Sequence, residues 1–395
     1  MGLRKFLDKI KPSFQEGGKL HAFRSVFDGF ETFMYVPNDT AKAKGAHIHD
    51  AIDSKRIMSF VVIALTPALL FGMWNVGHWH YIANGEQDPA FWSSFFYGLA
   101  AVLPKIVVSY LVGLGIEFTV AQWKNEEIHE GFLVSGILIP MIVPINCPLW
   151  IIAIATAFAV IFAKEIFGGT GMNIFNVALV TRAFLFFSYP STMSGDKVWV
   201  NQNYMDCITG VSGNVDAYSM ATPLGELAAN TADKPVAVTA DFMDTITGIM
   251  PGSIGETSVI AIALGAALLL ITGVASWKTM LSVFVGGALM AFIFKDKVTE
   301  NFQWYEHLTV GGFCFGAVFM ATDPVTSART ECGKWIYGFL IGVMAIIIRV
   351  LNPGYPEGMM LAILLMNVFA PLIDYCVVQS NINKRAKRAI KVKED

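Results

Sequence analysis

The feature that most constrains this chain is the recurrence of long apolar blocks divided by short polar stretches. Ten blocks stand at approximately 57–77, 99–122, 131–145, 148–164, 174–189, 257–275, 279–295, 307–322, 335–351 and 359–378. A helix needs roughly 20 such residues to cross a ~30 Å hydrocarbon layer, and several blocks reach that length. Composition points the same way: 54% apolar and 15% charged residues over 395 positions are too apolar for an ordinary soluble domain. The expected fold is an all-α polytopic membrane protein with about ten transmembrane helices.

Charge placement orients those helices. Of the 28 Lys and Arg, ten lie in the first 56 residues and six in the last 12. An even number of spans returns the C-terminus to the side of the N-terminus. With both ends cytoplasmic, 21 basic residues fall inside, leaving Lys105, Arg182, Lys197, Lys234, Lys295, Lys297 and Arg349. The positive-inside rule favours that arrangement. It divides the chain into a cytoplasmic or interfacial segment (1–54), a first five-helix unit (55–189), a periplasmic loop (190–256), a second five-helix unit (257–378) and a basic cytoplasmic tail (379–395). No apolar h-region precedes the block near Ile57, so no cleavable signal peptide is expected.

The N-terminal segment is polar but patterned. Leu3, Phe6, Leu7 and Ile10 share one helical face, and Phe23, Phe27, Phe30 and Met34 repeat the 4-3-4 spacing. Both runs fit amphipathic helices lying at a membrane surface or on a partner.

The two apolar halves resemble each other. "GFLVSGILIPMIVP" at 131–144 parallels "GFCFGAVFMATDP" at 312–324, and "MNIFNVALV" at 172–180 parallels "LLMNVFAPL" at 364–372, bringing Asn176 beside Asn367. Five spans per half is odd, so the second copy enters inverted. Pro140, Pro144, Gly168, Gly169 and Gly171 interrupt the third to fifth spans, and broken backbone survives at membrane depth only where it faces protein or a cavity. Inverted repeats with such helices build ion or substrate paths.

Several polar residues stand out against this background. Carboxylates in membrane spans are costly, which marks Glu117, Asp323 and Asp374 as candidates for a cation path; the competing reading is interfacial span ends and, for Asp323, an Asp-Pro turn. The stretch "KEIFGGTGMNIFNVALVTRAFLFF" (164–187) places a glycine turn before span five, puts Asn173 and Asn176 on one helical face, and carries Arg182 further along. Amide side chains donate and accept as a flavin edge demands, and a glycine turn before a helix can cradle phosphate. Polar residues also join membrane helices to one another. In the loop, Thr222 followed by Pro223 reads as an N-cap with proline at N1. The five cysteines are scattered without a C-x-x-C pair, so no zinc or iron–sulfur site of this chain's own is expected.

Taken together, "MGLRKFL", "HEGFLVSGIL", "KEIFGGTGMNIFN", "TRAFLFFSYP", "PGSIGETS", "MATDPV" and "GKWIYGFLIGVMAIIIRVLNPGYPEGMMLAILLMNVFAPLID" resemble the B subunits of sodium-pumping NADH:quinone reductases nearly end to end. The related D subunits of ion-pumping ferredoxin:NAD oxidoreductases share part of the pattern, but the basic amphipathic N-terminal tail belongs to the sodium pump. The resemblance implies FMN joined by a phosphoester to the threonine closing a Ser-x-Ala-Thr-like motif, here Ser219-Met220-Ala221-Thr222, where Met220 replaces the commoner glycine. It implies a riboflavin near Asn173 and Asn176, with Arg182 grouped alongside. It aligns Glu117, Asp323, Asp374 and Asp28 with acidic positions of sodium translocation, and a quinone-linked glycine pair with Gly113-Leu114. It further implies a six-subunit complex of the bacterial inner membrane in which NADH is oxidised on another subunit, quinone accepts the electrons, and no side chain here is catalytic. A flavin-free secondary transporter on an inverted repeat is the rival from another class.

Overall fold

A computed structural model describes residues 3–15, 18–35, 54–124, 131–210, 220–229, 240–295, 302–352 and 354–394. Helices dominate throughout. Two short ones, α1 (Leu3–Phe14) and α2 (Arg24–Met34), precede α3 (Ser54–Ala83), α4 (Phe91–Lys124), α5 (Phe132–Ile142), α6 (Leu149–Ala159) and α7 (Val177–Ser188). The segment that follows carries α8 (Pro190–Met193), α9 (Asp206–Thr209), α10 (Pro223–Ala229) and α11 (Phe242–Thr247). The second half contains α12 (Val259–Ile271), α13 (Trp277–Ile293), α14 (Glu306–Thr309), α15 (Phe313–Phe315), α16 (Glu331–Leu351) and α17 (Met359–Glu394).

Among the described residues, five helices are long and apolar enough to cross a membrane, and four shorter apolar helices accompany them. These nine fall on nine of the ten expected spans. The eighth is different. Around 307–322 the chain makes the single turn α14, breaks at Gly311 (φ +70°) and continues as α15 into a π-helical turn, Gly316–Met320. Span four also ends in a π-turn, Val160–Lys164, and a 3-10 turn, Glu165–Phe167, stopped by Gly168 at φ +112°. Such turns leave backbone carbonyls with altered partners, which membrane depth tolerates where protein covers them. All of Gly316–Met320 is buried, as are Val160, Ala163 and Lys164 of the other turn.

The outside of the bundle carries the marks of a lipid environment. Leu111 on α4 is 70% exposed and Ile271 on α12 is 87% exposed, far more than water tolerates in a contiguous band. Exposed Trp92 and Trp123 sit at opposite ends of α4. Their 31-residue separation is a rise of about 46 Å, close to a bilayer with its headgroup layers.

Small residues let the helices approach. A Cβ on Gly98 of α4 would lie 1.7 Å from the Met73 carbonyl oxygen of α3, and one on Gly342 of α16 would lie 2.1 Å from that of Val283 on α13. Backbone-to-backbone packing of this kind replaces the hydrophobic drive that lipid removes. The two halves join where α3 meets α12 and where α7 meets α17.

The N-terminal helices fold back on the bundle. Phe27 is buried and stacks on Phe14 with centroids 4.7 Å apart, while Phe23, Phe30 and Met34 stay exposed. The expected single apolar face is therefore split. The reason is Glu31, one turn after Phe27, whose carboxylate is drawn inward by Lys11 at 2.9 Å. Ser25 of α2 donates to Gln122 Oε1 at 2.8 Å, docking the hairpin on the last turn of α4.

Asn176 and Asn367 do not play parallel parts. Asn176 precedes α7 and caps it, whereas Asn367 lies inside α17 and accepts from the Tyr337 hydroxyl at 2.7 Å. The glycine turn at 168–171 precedes an α7 that begins only after Asn176, whereas α17 begins at Met359, eight residues before Asn367, directly after Gly358 at φ +65°.

Candidate functional site

Two cavities, at opposite ends of the bundle, collect most of the polar residues singled out above. Helix α7 runs between them. Its first residues, Asn176 and Val177, line one cavity; Arg182 and Phe186 line the other. Asn176 and Arg182 are six residues apart, a rise of about 9 Å.

The first, labelled the outer cavity because the 190–256 segment supplies much of its lining, encloses about 810 Å³ including its open mouth. Its wall includes Phe186, Trp199 and Tyr355, and Thr222 stands in its lining. Thr222 is the N-cap of α10: its Oγ1 accepts from Gly225 N at 3.1 Å. Leu224, one residue into the helix, is buried with Phe302 and Val310 and anchors α10 to the rest of the protein. A Cβ on Gly311 would sit 2.3 Å from Leu224 Cδ1, and the backbone there, at φ +70°, favours glycine.

Arg182 is buried in this wall between two carboxylates. Its Nη1 donates to Glu256 Oε1 at 2.8 Å and its Nη2 to Glu357 Oε1. Glu256 lies over Gly312, where a Cβ would come within 2.6 Å of the carboxylate. Glu357 accepts from the Tyr355 hydroxyl at 3.4 Å. Arg349 holds the same region through the backbone carbonyls of His307, Val310, Pro356 and Glu357. Burial of these charges is tolerable because each is paired or hydrogen-bonded.

The second, inner cavity encloses about 770 Å³. The start of α3 (Ile57, Met58), Ser135, Lys164, Asn173, Asn176, Thr322 and Asp323 line it. Asn173 and Asn176 do not share a helical face as expected. Asn173 closes a turn, accepting from Gly171 N and donating to the Phe175 carbonyl at 3.0 Å. Asn176 Oδ1 accepts from Ala178 N and Leu179 N as the α7 cap, and its Nδ2 donates to Asp323 Oδ2 at 3.3 Å. The glycine turn, with positive φ at Gly168, Gly169 and Gly171, ends well before α7 begins. Asn176 itself caps that helix terminus, accepting from Ala178 N and Leu179 N.

The four acidic candidates separate. Glu117 forms an ion pair with Lys164, both side chains 5% exposed, and Lys164 reaches the inner cavity from its π-turn. Asp323 also faces that cavity while accepting from Val325 N and Thr326 Oγ1, both at 3.0 Å. Asp374 lies elsewhere and ties down the start of α16, accepting from Arg329 N, Thr330 N and Thr330 Oγ1 at 2.6–2.9 Å. Asp28 is on the exposed side of α2, 3.4 Å from Arg24. Gly113 is buried beneath the Phe132 ring, whose Cζ a Cβ would approach to 2.0 Å, and Leu114 beside it is half-buried. Ser219 lies outside the described residues; Ala221 is half-buried next to Thr222.

Arg182 thus parts company with Asn173 and Asn176 and joins Thr222. Sequence reasoning missed Glu256, Glu357 and Lys164. Their signal was indirect: a buried arginine in a span demands an acid, and Glu117 demands a base. Only two acids occur in the glycine- and proline-rich turns directly before spans six and ten, "PGSIGETS" and "NPGYPEG".

Residues 41–383 match the NQR2, RnfD, RnfE family. The chain is 43% identical to the B subunit of the Na(+)-translocating NADH-quinone reductase of Chromohalobacter salexigens, over 98% of this chain and 97% of that one. It is 42% identical to the corresponding B subunit of Ectopseudomonas mendocina, over 99% and 100%. The Azotobacter vinelandii counterpart is 41% identical over 99% and 100%.

Proposed function

The chain belongs to the NQR2, RnfD, RnfE family, and on that premise we propose that it is the membrane B subunit of a sodium-translocating NADH:quinone reductase. In this reading the ten spans form two inverted five-helix halves in the bacterial inner membrane, with both termini cytoplasmic and the outer cavity periplasmic. Electrons from NADH, oxidised on another subunit of a six-subunit complex, enter at the outer cavity, leave through the inner one and reach quinone, coupled to export of Na⁺.

The observation that carries the proposal is the position of Thr222, the family's flavin-bearing threonine by motif, in the lining of an aromatic-walled cavity floored by a buried arginine. Those residues fit FMN held by a phosphoester. Thr222 and the aromatic residues Phe186, Trp199 and Tyr355 all line the cavity. An ester oxygen at Thr222 can still accept from Gly225 N, so α10 keeps its cap. The inner cavity fits riboflavin, which lacks a phosphate: its lining combines the amide and hydroxyl residues Ser135, Asn173, Asn176 and Thr322 with Leu138, Leu269 and Phe319. Bound flavin would supply the electron-carrying chemistry; the chain positions it and excludes water.

Asp323 lines the inner cavity and Glu117 adjoins it through its ion pair with Lys164; these are the carboxylates assigned to the sodium path. Asp374 and Asp28 would act on the path only through the segments they brace. Gly113 would influence a quinone site through α4–α5 packing and Leu114 through its half-open flank. The test is a denaturing gel of the purified complex under ultraviolet light. The wild-type band fluoresces and Thr222→Val does not; a fluorescent Thr222→Val band refutes the assignment. Sodium-stimulated NADH:quinone activity of the same complex checks the wider reading.

A further inference from the structure

Three segments far apart in sequence meet at one guanidinium in the wall of the outer cavity. Arg182 comes from α7, Glu256 from the turn before α12 and Glu357 from the turn before α17. If the cluster served only to fasten these segments, apolar residues of similar volume would do so with no charge to desolvate. The turn before α17 is in any case fastened by Arg349, whose guanidinium donates to the carbonyls of Pro356, Glu357, His307 and Val310. What Arg182, Glu256 and Glu357 add is charge, one positive and two negative, on the surface of a largely apolar cavity that also contains Thr222.

We propose that the Glu256–Arg182–Glu357 triad sets the reduction potential of the flavin attached at Thr222. This rests on the Thr222 reading above and deepens it. Each electron arriving in the cavity adds negative charge to a poorly solvated space, where fixed charges act more strongly than in water. Arg182 favours the reduced state, and each carboxylate opposes it. The triad therefore holds the potential between two extremes, and its members pull in opposite directions. A purely structural cluster would give no such sign.

The experiment uses the intact complex. Potentiometric titrations followed by visible absorbance are compared for wild type, Glu256→Gln, Glu357→Gln, Arg182→Gln and Arg182→Lys. The component read is the one missing from the Thr222→Val complex, and gel fluorescence first verifies covalent flavin in each variant. The expected result is a positive shift for Glu256→Gln and for Glu357→Gln, a negative shift for Arg182→Gln, and a smaller shift for Arg182→Lys. Potentials that do not move, or that all move the same way, overturn the proposal. Should Arg182→Gln fail to assemble, the two glutamate variants decide it alone: both must shift upward, and an unmoved or downward shift in either overturns it. A Thr222→Val complex that keeps its covalent flavin overturns the Thr222 reading and this inference with it. Attached flavin with unmoved potentials overturns this inference only.

Discussion

The outer and inner cavities are similar in volume and share α7, yet they are built on opposite principles. The outer one has Thr222 in its lining and paired charges in its wall. The inner one has amides already spent on the chain's own turns, with an ion pair, Lys164–Glu117, arriving from a π-turn. On the proposed reading, the difference separates two tasks. A covalently held group needs a fixed attachment point and a defined field. A group held without a bond, next to a cation path, needs neighbours that can change partners.

The largest expected effects would break this contrast directly. Thr222→Val should remove all covalent flavin from the subunit while leaving acid-extractable riboflavin at wild-type level. Losing both together would mean that the cavities are not independent sites. Asn176→Ala should do the reverse, lowering extractable riboflavin several-fold with the fluorescent gel band intact. That substitution also removes a helix cap, which costs about 0.5–2 kcal/mol, so thermal unfolding of the complex is measured alongside. Unchanged riboflavin content with lowered stability would reduce Asn176 to a cap.

A more specific effect belongs to the buried ion pair. Glu117→Gln leaves the Lys164 ammonium buried without its carboxylate, a change on the order of 3–5 kcal/mol for pairs of this kind. Restoring neutrality with Glu117→Gln/Lys164→Met should recover most of that stability. Sodium stimulation should stay low in the double variant if Glu117 is a cation ligand, and should return if the pair is only structural. Asp374→Asn should be the mildest. It weakens hydrogen bonds at the start of α16 by about 1–3 kcal/mol in total, lowering Tm without altering flavin content at either cavity. A change in sodium dependence out of proportion to the loss of stability would return Asp374 to the path.

The membrane architecture was largely legible because lipid imposes a length and an apolar composition that survive any packing detail. Span eight was the exception. Its break depends on Gly311 and Gly312 accommodating Leu224 and Glu256, residues 87 and 56 positions earlier, and no local pattern records such an approach. The acidic and amide candidates were found as residue types but not as groupings. Arg182 looked like a neighbour of Asn176 because six residues are few in sequence; along a helix they reach from one cavity to the other. Its true partners are 74 and 175 positions away. Phe27 was placed with Phe23 and Phe30 by spacing alone, whereas Glu31 and Phe14 turned it inward. Thr222 needed both readings at once, since it is a helix cap by geometry and, by motif, the proposed attachment point.

The central claim, a flavin carried on Thr222, is tested most directly by the mass of the peptide spanning 220–229 after proteolysis of the purified complex. A phosphoester forms with loss of water, so that peptide should be heavier by FMN minus one water, with fragmentation placing the added mass on Thr222. The same modification on any other residue, or an unmodified peptide from a complex with full flavin content, would contradict it.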